Sequence, residues 1–584
     1  MLKIKREKER IIGIFIALGF AVLLGCLYLY NVKNINTIWE MGDEGGYLFN
    51  ASLFSPYDWK ETFSNARHYY GYGYSFLLIP LFYMCSTGVS LIRGCIIVNI
   101  ICLLGIYFIQ IYIMSKLWKK RSICILSMIS FIVCLYPYLA SNVMMVVCEV
   151  FLSFFVWVIT LLFYKAISEK NYIFWFLLGF AVAFVFFIHT RAVVVLVTIN
   201  LFIALLIFLK RVDLKKIILY GLSFLCFFVV LYFAKHYFLG VLGTGKIALS
   251  RGTTEVTNIM TTKWVVDRIR WVFAKRNIVK YILCAVSKIF YLIASTAGVL
   301  LLGIVYGISE LRCRIRDIPN KYDETHIVKA FFIFLFLLMF IACCVSGTGS
   351  TYAYMIYGRY YEYCISPIII MGMLYLTDKP QKSPKLHFIA LVMIVCSGIL
   401  SLNLSAFANS EQIGIDINRI PSISYAIAQN ENYLNTIYFL ILFTVLTNIV
   451  YFCVAKYKCK VIIIPLTVLV IFGINDIEAI REINEVNRTC ITDINISNYI
   501  EENKDDQSIY FVYEPYRYNS FYMRMQVFIK NNAMHIVLPE EVESIEEESF
   551  VITYINSEKA AEFAEVEEYE YIMKSAHYNL YIKR

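Results

Sequence analysis

Charged residues are scarce in this sequence, and their scarcity excludes an ordinary soluble globular protein. Asp, Glu, Lys and Arg make up 16% of the 584 residues, whereas a soluble domain has about a quarter. Hydrophobic residues make up 60% of the chain, and the mean hydropathy is +0.66. The composition therefore predicts a mainly α-helical polytopic membrane protein. Its 45 Tyr and 44 Phe residues suit the aromatic belts at membrane interfaces.

The sequence also lacks the usual signatures of metal, disulfide and nucleic-acid modules. Its 17 cysteines lie mostly inside apolar runs, singly or as the pair Cys343-Cys344, and no C-x-x-C spacing occurs. This pattern predicts neither a structural metal site nor a disulfide framework. We expect no nucleic-acid partner, and basic loops are expected to contact membrane lipid.

The charge is divided unevenly between two predicted domains. Residues 475–584 contain 10 Lys and Arg against 22 Asp and Glu, whereas residues 1–474 contain 43 against 21. This split predicts an acidic soluble domain on a basic membrane body. Within 475–584, short β-branched and aromatic runs predict strands at 508–513, 533–538 and 549–555. Helical stretches near 495–504, 516–530 and 557–565 alternate with them, which indicates a small α/β domain.

Apolar runs and basic loops together predict the topology of the body. A basic start precedes the apolar run 11–30, which is long enough to span a membrane and too long for a signal peptide's core. About 13 such spans are expected. Five short basic loops then fall on the side of the N-terminus, which places that side in the cytoplasm. The first outer loop (31–90) and the C-terminal domain are predicted to lie outside.

The first outer loop contains an acidic motif, Met41-Gly42-Asp43-Glu44-Gly45-Gly46-Tyr47. Neighbouring residues point in different directions, so Asp43 and Glu44 need not share a task. One carboxylate can act as a base while the other binds an ion or a hydroxyl. The alternative interpretation is a helix N-cap, since Asp is a favoured capping residue.

Further ionisable residues are predicted at the outer ends of later spans. Ionisable groups at membrane depth cost about 3 kcal/mol or more unless they are paired, and they are functional by default. For the Glu and Arg candidates named next, the structural alternative is that they form ion pairs with one another. For the His candidate, the alternative is a structural role as a hydrogen-bonded residue. The candidates are Glu149, His189, Arg191, Arg359, Tyr360 and Glu362.

The outer loop 239–280 carries a net charge of +6. Its segment 263–276 places Trp264 and Trp271 seven residues apart among apolar and basic residues, which predicts a helix in the interface plane. Arg251 and Lys263 are candidates for capturing an anionic lipid-linked substrate. Ordinary anchoring to lipid head groups is the alternative interpretation.

These features together resemble the C-type membrane glycosyltransferases (GT-C), which include the protein O-mannosyltransferases and the aminoarabinose transferases. The resemblance covers about residues 1–475, mostly by layout. Its sharpest residues are Gly42-Asp43-Glu44, Tyr70-Gly71-Tyr72-Gly73-Tyr74, Glu149, His189-Thr190-Arg191 and Gly358-Arg359-Tyr360. In that family an acidic residue of the first loop assists the acceptor, so the resemblance implies this role for Asp43. The Lys-Pro-Pro-Leu stretch of the aminoarabinose branch is absent here, so that branch's substrate and metal site do not follow.

The resemblance implies an enzyme that takes a sugar from a polyprenyl-phosphate carrier at the outer face of the cell membrane. The acceptor can be a glycan, a protein or a lipid. Asp43 and Glu44 are the catalytic candidates, and Tyr70 and Tyr72 join the substrate-binding candidates. The sequence identifies no definite cofactor. Glu44 or Glu149 is expected to position either the acceptor or an optional divalent metal ion. The alternatives are a transporter or flippase of lipid-linked sugars and a non-catalytic assembly protein of the cell envelope.

Overall fold

The structure is a computed structural model, and its helical body carries a small sheet domain. The residues that it describes are 2–39, 41–65, 71–241, 244–245, 267, 270, 273–274, 278–315, 324–347, 358–378, 384–402, 421–423, 433–456, 463–504, 507–514 and 521–584.

The first half of the body consists of helices whose apolar sequences run almost without interruption. In chain order they are α1 (Leu2–Val32), α2 (Met41–Ser52), α3 (Lys60–Ser64), α4 (Tyr72–Met84), α5 (Gly88–Leu117), α6 (Ile123–Cys134), α7 (Pro137–Val143), α8 (Glu149–Ser168), α9 (Ile173–Ile188), α10 (Val193–Phe208) and α11 (Leu214–Val241).

The second half continues in the same way into a helix that connects it with the C-terminal domain. Its helices are α12 (Ile278–Ser295), α13 (Val299–Ile315), α14 (Glu324–Gly347), α15 (Ser366–Asp378), α16 (Pro384–Leu402), α17 (Tyr433–Lys456) and α18 (Ile463–Thr489). Helix α18 runs across the predicted domain boundary at residue 474, so body and domain are joined by continuous helix.

Six helices among the described residues are long and apolar enough to cross a membrane, and two bent pairs raise this number to eight. The polytopic membrane fold is therefore confirmed, while the count of 13 spans stays a prediction. The apolar runs 122–139 and 281–306, each long enough for one span, are both broken. Helices α6 and α7 meet at 62°, and the segments Tyr281–Ser295 and Val299–Ser309 meet at 106°.

Each break has a local cause in the sequence. Pro137 stands at the first position of α7, where a missing N–H costs nothing. The sharper bend turns at Gly298, whose φ of +83° suits a residue without a Cβ. A Cβ there would lie 2.4 Å from the side-chain nitrogen of Asn448. Both breaks are buried in protein, where irregular backbone at membrane depth is tolerated.

The C-terminal domain is a five-stranded sheet with helices. Its elements are α19 (Asp493–Asn503), β1 (Ile509–Val512), α20 (Phe521–Phe528), β2 (His535–Val537), β3 (Phe550–Tyr554), α21 (Glu558–Phe563), β4 (Tyr569–Lys574) and β5 (Tyr578–Lys583). The strand order is β2-β1-β3-β5-β4. Strand β1 is parallel to β2 and β3, whereas β5 is antiparallel to β3 and β4.

The predicted small α/β domain is confirmed, with its three predicted strands and three predicted helical stretches. Strands β4 and β5 were missed by the sequence analysis. Helix α20 is the crossover between the parallel strands β1 and β2, so one of its sides covers the sheet. Its other side meets the membrane body.

Candidate functional site

The candidate site lies where four chain segments end or turn. Asp43 stands in the first turn of α2, and Glu149 is the first residue of α8. Arg191 lies in a 3-10 turn between α9 and α10. Arg359 lies in the turn before α15, next to Gly358. Helix ends therefore gather four charged side chains that lie up to 316 positions apart in the sequence.

Arg359 bridges the two carboxylates of this group. Its Nη1 lies 2.8 Å from Asp43 Oδ2, and its Nε donates to Glu149 Oε1 at 2.7 Å. The Asp43 side chain is 33% exposed, whereas those of Glu149 and Arg359 are 1% and 4% exposed. The pair with Glu149 is thus closed to solvent, and Asp43 is the member of the bridge that solvent reaches.

Arg191 is the second cation on Glu149. Its Nη2 donates to Glu149 Oε1 at 2.6 Å, so both guanidiniums share one carboxylate oxygen. The Arg191 guanidinium also lies over the rings of Tyr360 and Tyr363, at 5.4 and 5.7 Å from their centroids. A desolvated cation over an aromatic face gains about 2 kcal/mol. Tyr360, a predicted substrate-binding residue, therefore contacts Arg191, which belongs with Asp43, Glu149 and Arg359 to one ionic cluster.

Several buried polar atoms of the cluster have no hydrogen-bond partner among the described residues. They are Glu149 Oε2, Arg191 Nε and the Tyr138 hydroxyl. Buried polar atoms are normally hydrogen-bonded, and exceptions call for a physical reason. The unused atoms of Glu149 and Arg191 leave hydrogen-bonding capacity for a polar ligand at this point.

Glu44, the neighbour of Asp43, is turned the other way. Its side chain is 2% exposed, and Oε1 accepts the backbone N–H of Val146 at 2.7 Å. Val146 lies three residues before Glu149. Glu44 therefore ties α2 to the segment that leads into α8, and its direct catalytic role stays a prediction.

His189 lies between α9 and the turn that carries Arg191. Its Nδ1 accepts the backbone N–H of Arg191 at 3.2 Å, which requires an unprotonated Nδ1. Burial and the neighbouring Arg191 guanidinium hold the pKa of His189 well below its usual range. A neutral imidazole that shapes the Arg191 turn is the consequence.

Glu362 forms a separate polar cluster one helical turn beyond Arg359. It accepts hydrogen bonds from Tyr136, from Tyr291 at 3.0 Å and from Ser422 at 2.6 Å. The two tyrosines come from the two broken helices, and Gly358 lets Tyr291 approach, since a Cβ there would lie 2.3 Å from its ring. Three hydroxyl groups therefore surround the Glu362 carboxylate. The contact between Glu362 and the substrate stays a prediction.

The tyrosine-glycine motif serves helix packing at the residues that the structure describes. Tyr72 is buried, and its hydroxyl donates to the carbonyl oxygen of Leu231. Gly71 and Gly73 lie against the backbone of Ile188, where a Cβ would approach to 2.1 and 2.9 Å. Three predicted substrate-binding residues, Tyr70, Arg251 and Lys263, lie outside the described residues.

The sequence analysis missed the thiol and hydroxyls that surround the charged residues. The Tyr47 hydroxyl donates to Cys148 Sγ at 2.8 Å, directly beside Glu149. Tyr47 belongs to the predicted acidic motif, which was the available signal. Nothing in the sequence singled out Cys148 among 17 cysteines.

Two groups of side chains could hold a metal ion, one in the C-terminal domain and one around Asp43 and Glu149. Among the described residues, Cys490, Asp493 and His577 form the group close enough to share a metal ion. Both Asp493 oxygens already bind His577, at 2.8 and 3.1 Å, and the Arg524 guanidinium lies 3.9 Å away. This arrangement fits a clasp between α19 and the β4–β5 turn better than a metal centre. At the ionic site formed by Asp43, Glu149, Arg191 and Arg359, Arg359 occupies the position between the two carboxylates, and the divalent ion stays a prediction.

Comparison with known proteins finds solved structures of similar fold. No protein-family model matches the sequence, and no curated protein matches it. ArnT from Cupriavidus metallidurans bound to undecaprenyl phosphate matches with a TM-score of 0.56 and 10% identity, over 97% of each chain. ArnT in the apo state matches with a TM-score of 0.52 and 10% identity, over 97% of this chain and 98% of that one. At the level of the fold the predicted resemblance is confirmed, because this chain shares the fold of these ArnT structures along nearly its whole length.

Proposed function

We propose that this protein is a multi-pass membrane glycosyltransferase. It transfers a sugar from a polyprenyl-phosphate-linked donor to an acceptor at the outer face of the cell membrane. One observation carries the proposal: in an ArnT-like fold, Arg359 joins Asp43 and Glu149 into one ionic site. One of the matching ArnT structures is bound to undecaprenyl phosphate.

The two guanidiniums are assigned to the phosphate of the carrier. When the bond from the sugar to the phosphate breaks, negative charge develops on the leaving phosphate. Fixed cations in a site closed to water stabilise such charge strongly, and the planar fork of Arg suits phosphate oxygens. Arg359 is the first candidate because its Nη1 lies beside the exposed carboxylate of Asp43. Arg251 and Lys263 are proposed to attract the same carrier from the membrane surface.

Asp43 is assigned as the general base. A base must lie within hydrogen-bond reach of the proton that it removes, and an acceptor arrives from solvent. Asp43 is one-third exposed, so an acceptor hydroxyl reaches it, whereas the shared oxygen of Glu149 is closed off.

The reaction is written as one inverting displacement. The acceptor oxygen forms a bond with the anomeric carbon while the bond from that carbon to the carrier phosphate breaks. The bonding electrons leave with the polyprenyl phosphate, and the acceptor proton passes to Asp43. Glu149 holds Arg191 and Arg359 in place and keeps the site's charge balanced.

The test measures sugar transfer by the purified protein. The assay contains polyprenyl-phosphate sugars as donors and a cell-envelope extract as the source of acceptor. Arg359→Gln should lower transfer strongly, whereas Arg481→Gln, which removes an exposed guanidinium on α18, should leave it unchanged. Undecaprenyl phosphate added alone should compete with the donor. Movement of intact lipid-linked sugar across a liposome membrane, with no cleavage of the sugar–phosphate bond, would favour a flippase instead.

A further inference from the structure

Helix α20 of the C-terminal domain is buried on all sides. Each of its eight residues, Phe521 to Phe528, is buried, although the sheet covers only one side of a crossover helix. The remaining side packs against α2, α3 and α5 of the membrane body. The domain is therefore built into the outer surface of the body at the first outer loop.

Polar contacts fix this docking beside the packing. Thr62 donates to the side-chain oxygen of Gln526 at 2.9 Å, and the indole N–H of Trp59 donates to the carbonyl oxygen of Lys530 at 2.9 Å. All four side chains are buried. Gly88 allows the closest approach, because a Cβ there would lie 1.9 Å from the carbonyl oxygen of Val527.

The same helix touches the catalytic helix two residues from Asp43. A Cβ on Gly45 would lie 3.1 Å from Met523 Sδ and 3.3 Å from Met523 Cβ. On its other side, α2 is held by the hydrogen bond from Val146 to Glu44. The start of α2 is thus gripped between the segment that leads to Glu149 and the C-terminal domain.

We infer that Met523 is a positioning residue for Asp43, so that the C-terminal domain forms part of the catalytic unit. This inference rests on the proposed function. Asp43 must keep its 2.8 Å contact with Arg359 while it faces the acceptor. The lateral position of α2 decides whether it does, and Met523 lies against α2 from the C-terminal domain, two residues from Asp43.

The experiment is a volume-compensated swap in the full-length protein. Gly45→Val adds three carbon atoms against Met523, and Met523→Ala removes three heavy atoms from the same place. Gly45→Val alone should lower kcat by about 10-fold, since a misplacement of about 1 Å can cost about 100-fold. The KM for the donor should stay unchanged. Adding Met523→Ala should restore most of kcat, because total volume is kept.

Gly473→Val in α18 is the matched control, since nothing lies within 4 Å of a Cβ at that position. Its kcat should equal that of the unaltered protein. A folded Gly45→Val protein with normal kcat, or one whose kcat Met523→Ala fails to restore, would overturn the inference. Failure of the proposed function is separate, because the unaltered protein would then transfer no sugar at all.

Discussion

Replacing Asp43 with Asn should separate catalysis from stability in this site. The substitution keeps the size of the side chain and one acceptor oxygen for Arg359, and it removes the negative charge. Loss of a general base lowers turnover by about 10²–10⁴, which corresponds to about 2.7–5.4 kcal/mol of transition-state stabilisation. The ion pair with Arg359 is one-third exposed on the Asp43 side, so its loss should cost about 1 kcal/mol of stability or less.

The assay compares single-turnover sugar transfer with thermal unfolding in the same preparation. We expect transfer by Asp43→Asn to fall by at least about 100-fold while the unfolding temperature stays close to that of the unaltered protein. If Asp43 were only a helix cap, Asn would replace it with little loss, because Asn caps as well as Asp. Normal transfer by the purified Asp43→Asn protein would refute the base assignment.

Three further outcomes are expected. Glu149→Gln should lower the unfolding temperature more than Asp43→Asn does, because it leaves two buried guanidiniums without their shared carboxylate, a loss of about 3–5 kcal/mol for a buried pair; equal unfolding temperatures would contradict this. Arg359→Ala should raise the KM for the polyprenyl-phosphate donor more than that for the acceptor, as steady-state titration of each substrate would measure; an unchanged donor KM would indicate a purely structural Arg359. A cysteine placed at Lys382 should resist an impermeant thiol reagent applied outside the cell, and its labelling there would reverse the predicted topology.

The fold class could be predicted from the sequence because a membrane span requires a long run of apolar residues, which is easily recognised. Long apolar runs and basic loops identified a polytopic body, and strand-helix alternation identified the C-terminal α/β domain. The broken helices were less visible, since an apolar run gives no direct sign of a bend. Pro137 and Gly298 were the signals in those runs, and their meaning depended on buried partners such as Asn448.

The structure brings together four predicted site residues, Asp43, Glu149, Arg191 and Arg359. Sequence reasoning singled out Asp43 through the acidic motif of the first loop, and the other three because ionisable groups at membrane depth need partners. It left open which residue pairs with which, because pairing depends on how helix ends approach one another in space. The same limit hid the hydroxyls around Glu362, since Tyr is too common in this chain for any single one to stand out.

The docking of α20 also sets an order in which this protein is completed during synthesis. Trp59 and the residue whose carbonyl it binds, Lys530, lie 471 positions apart, so the ribosome makes the first long before the second. Until residues near 521–536 have been made, Trp59 and the neighbouring apolar surface have no cover from this helix. Contacts of such long sequence separation form late in folding, and exposed apolar surface attracts chaperones and proteases in the meantime. A chain whose synthesis stops early would therefore leave the apolar surface near Trp59 uncovered. That exposed surface would make the incomplete protein a target for degradation.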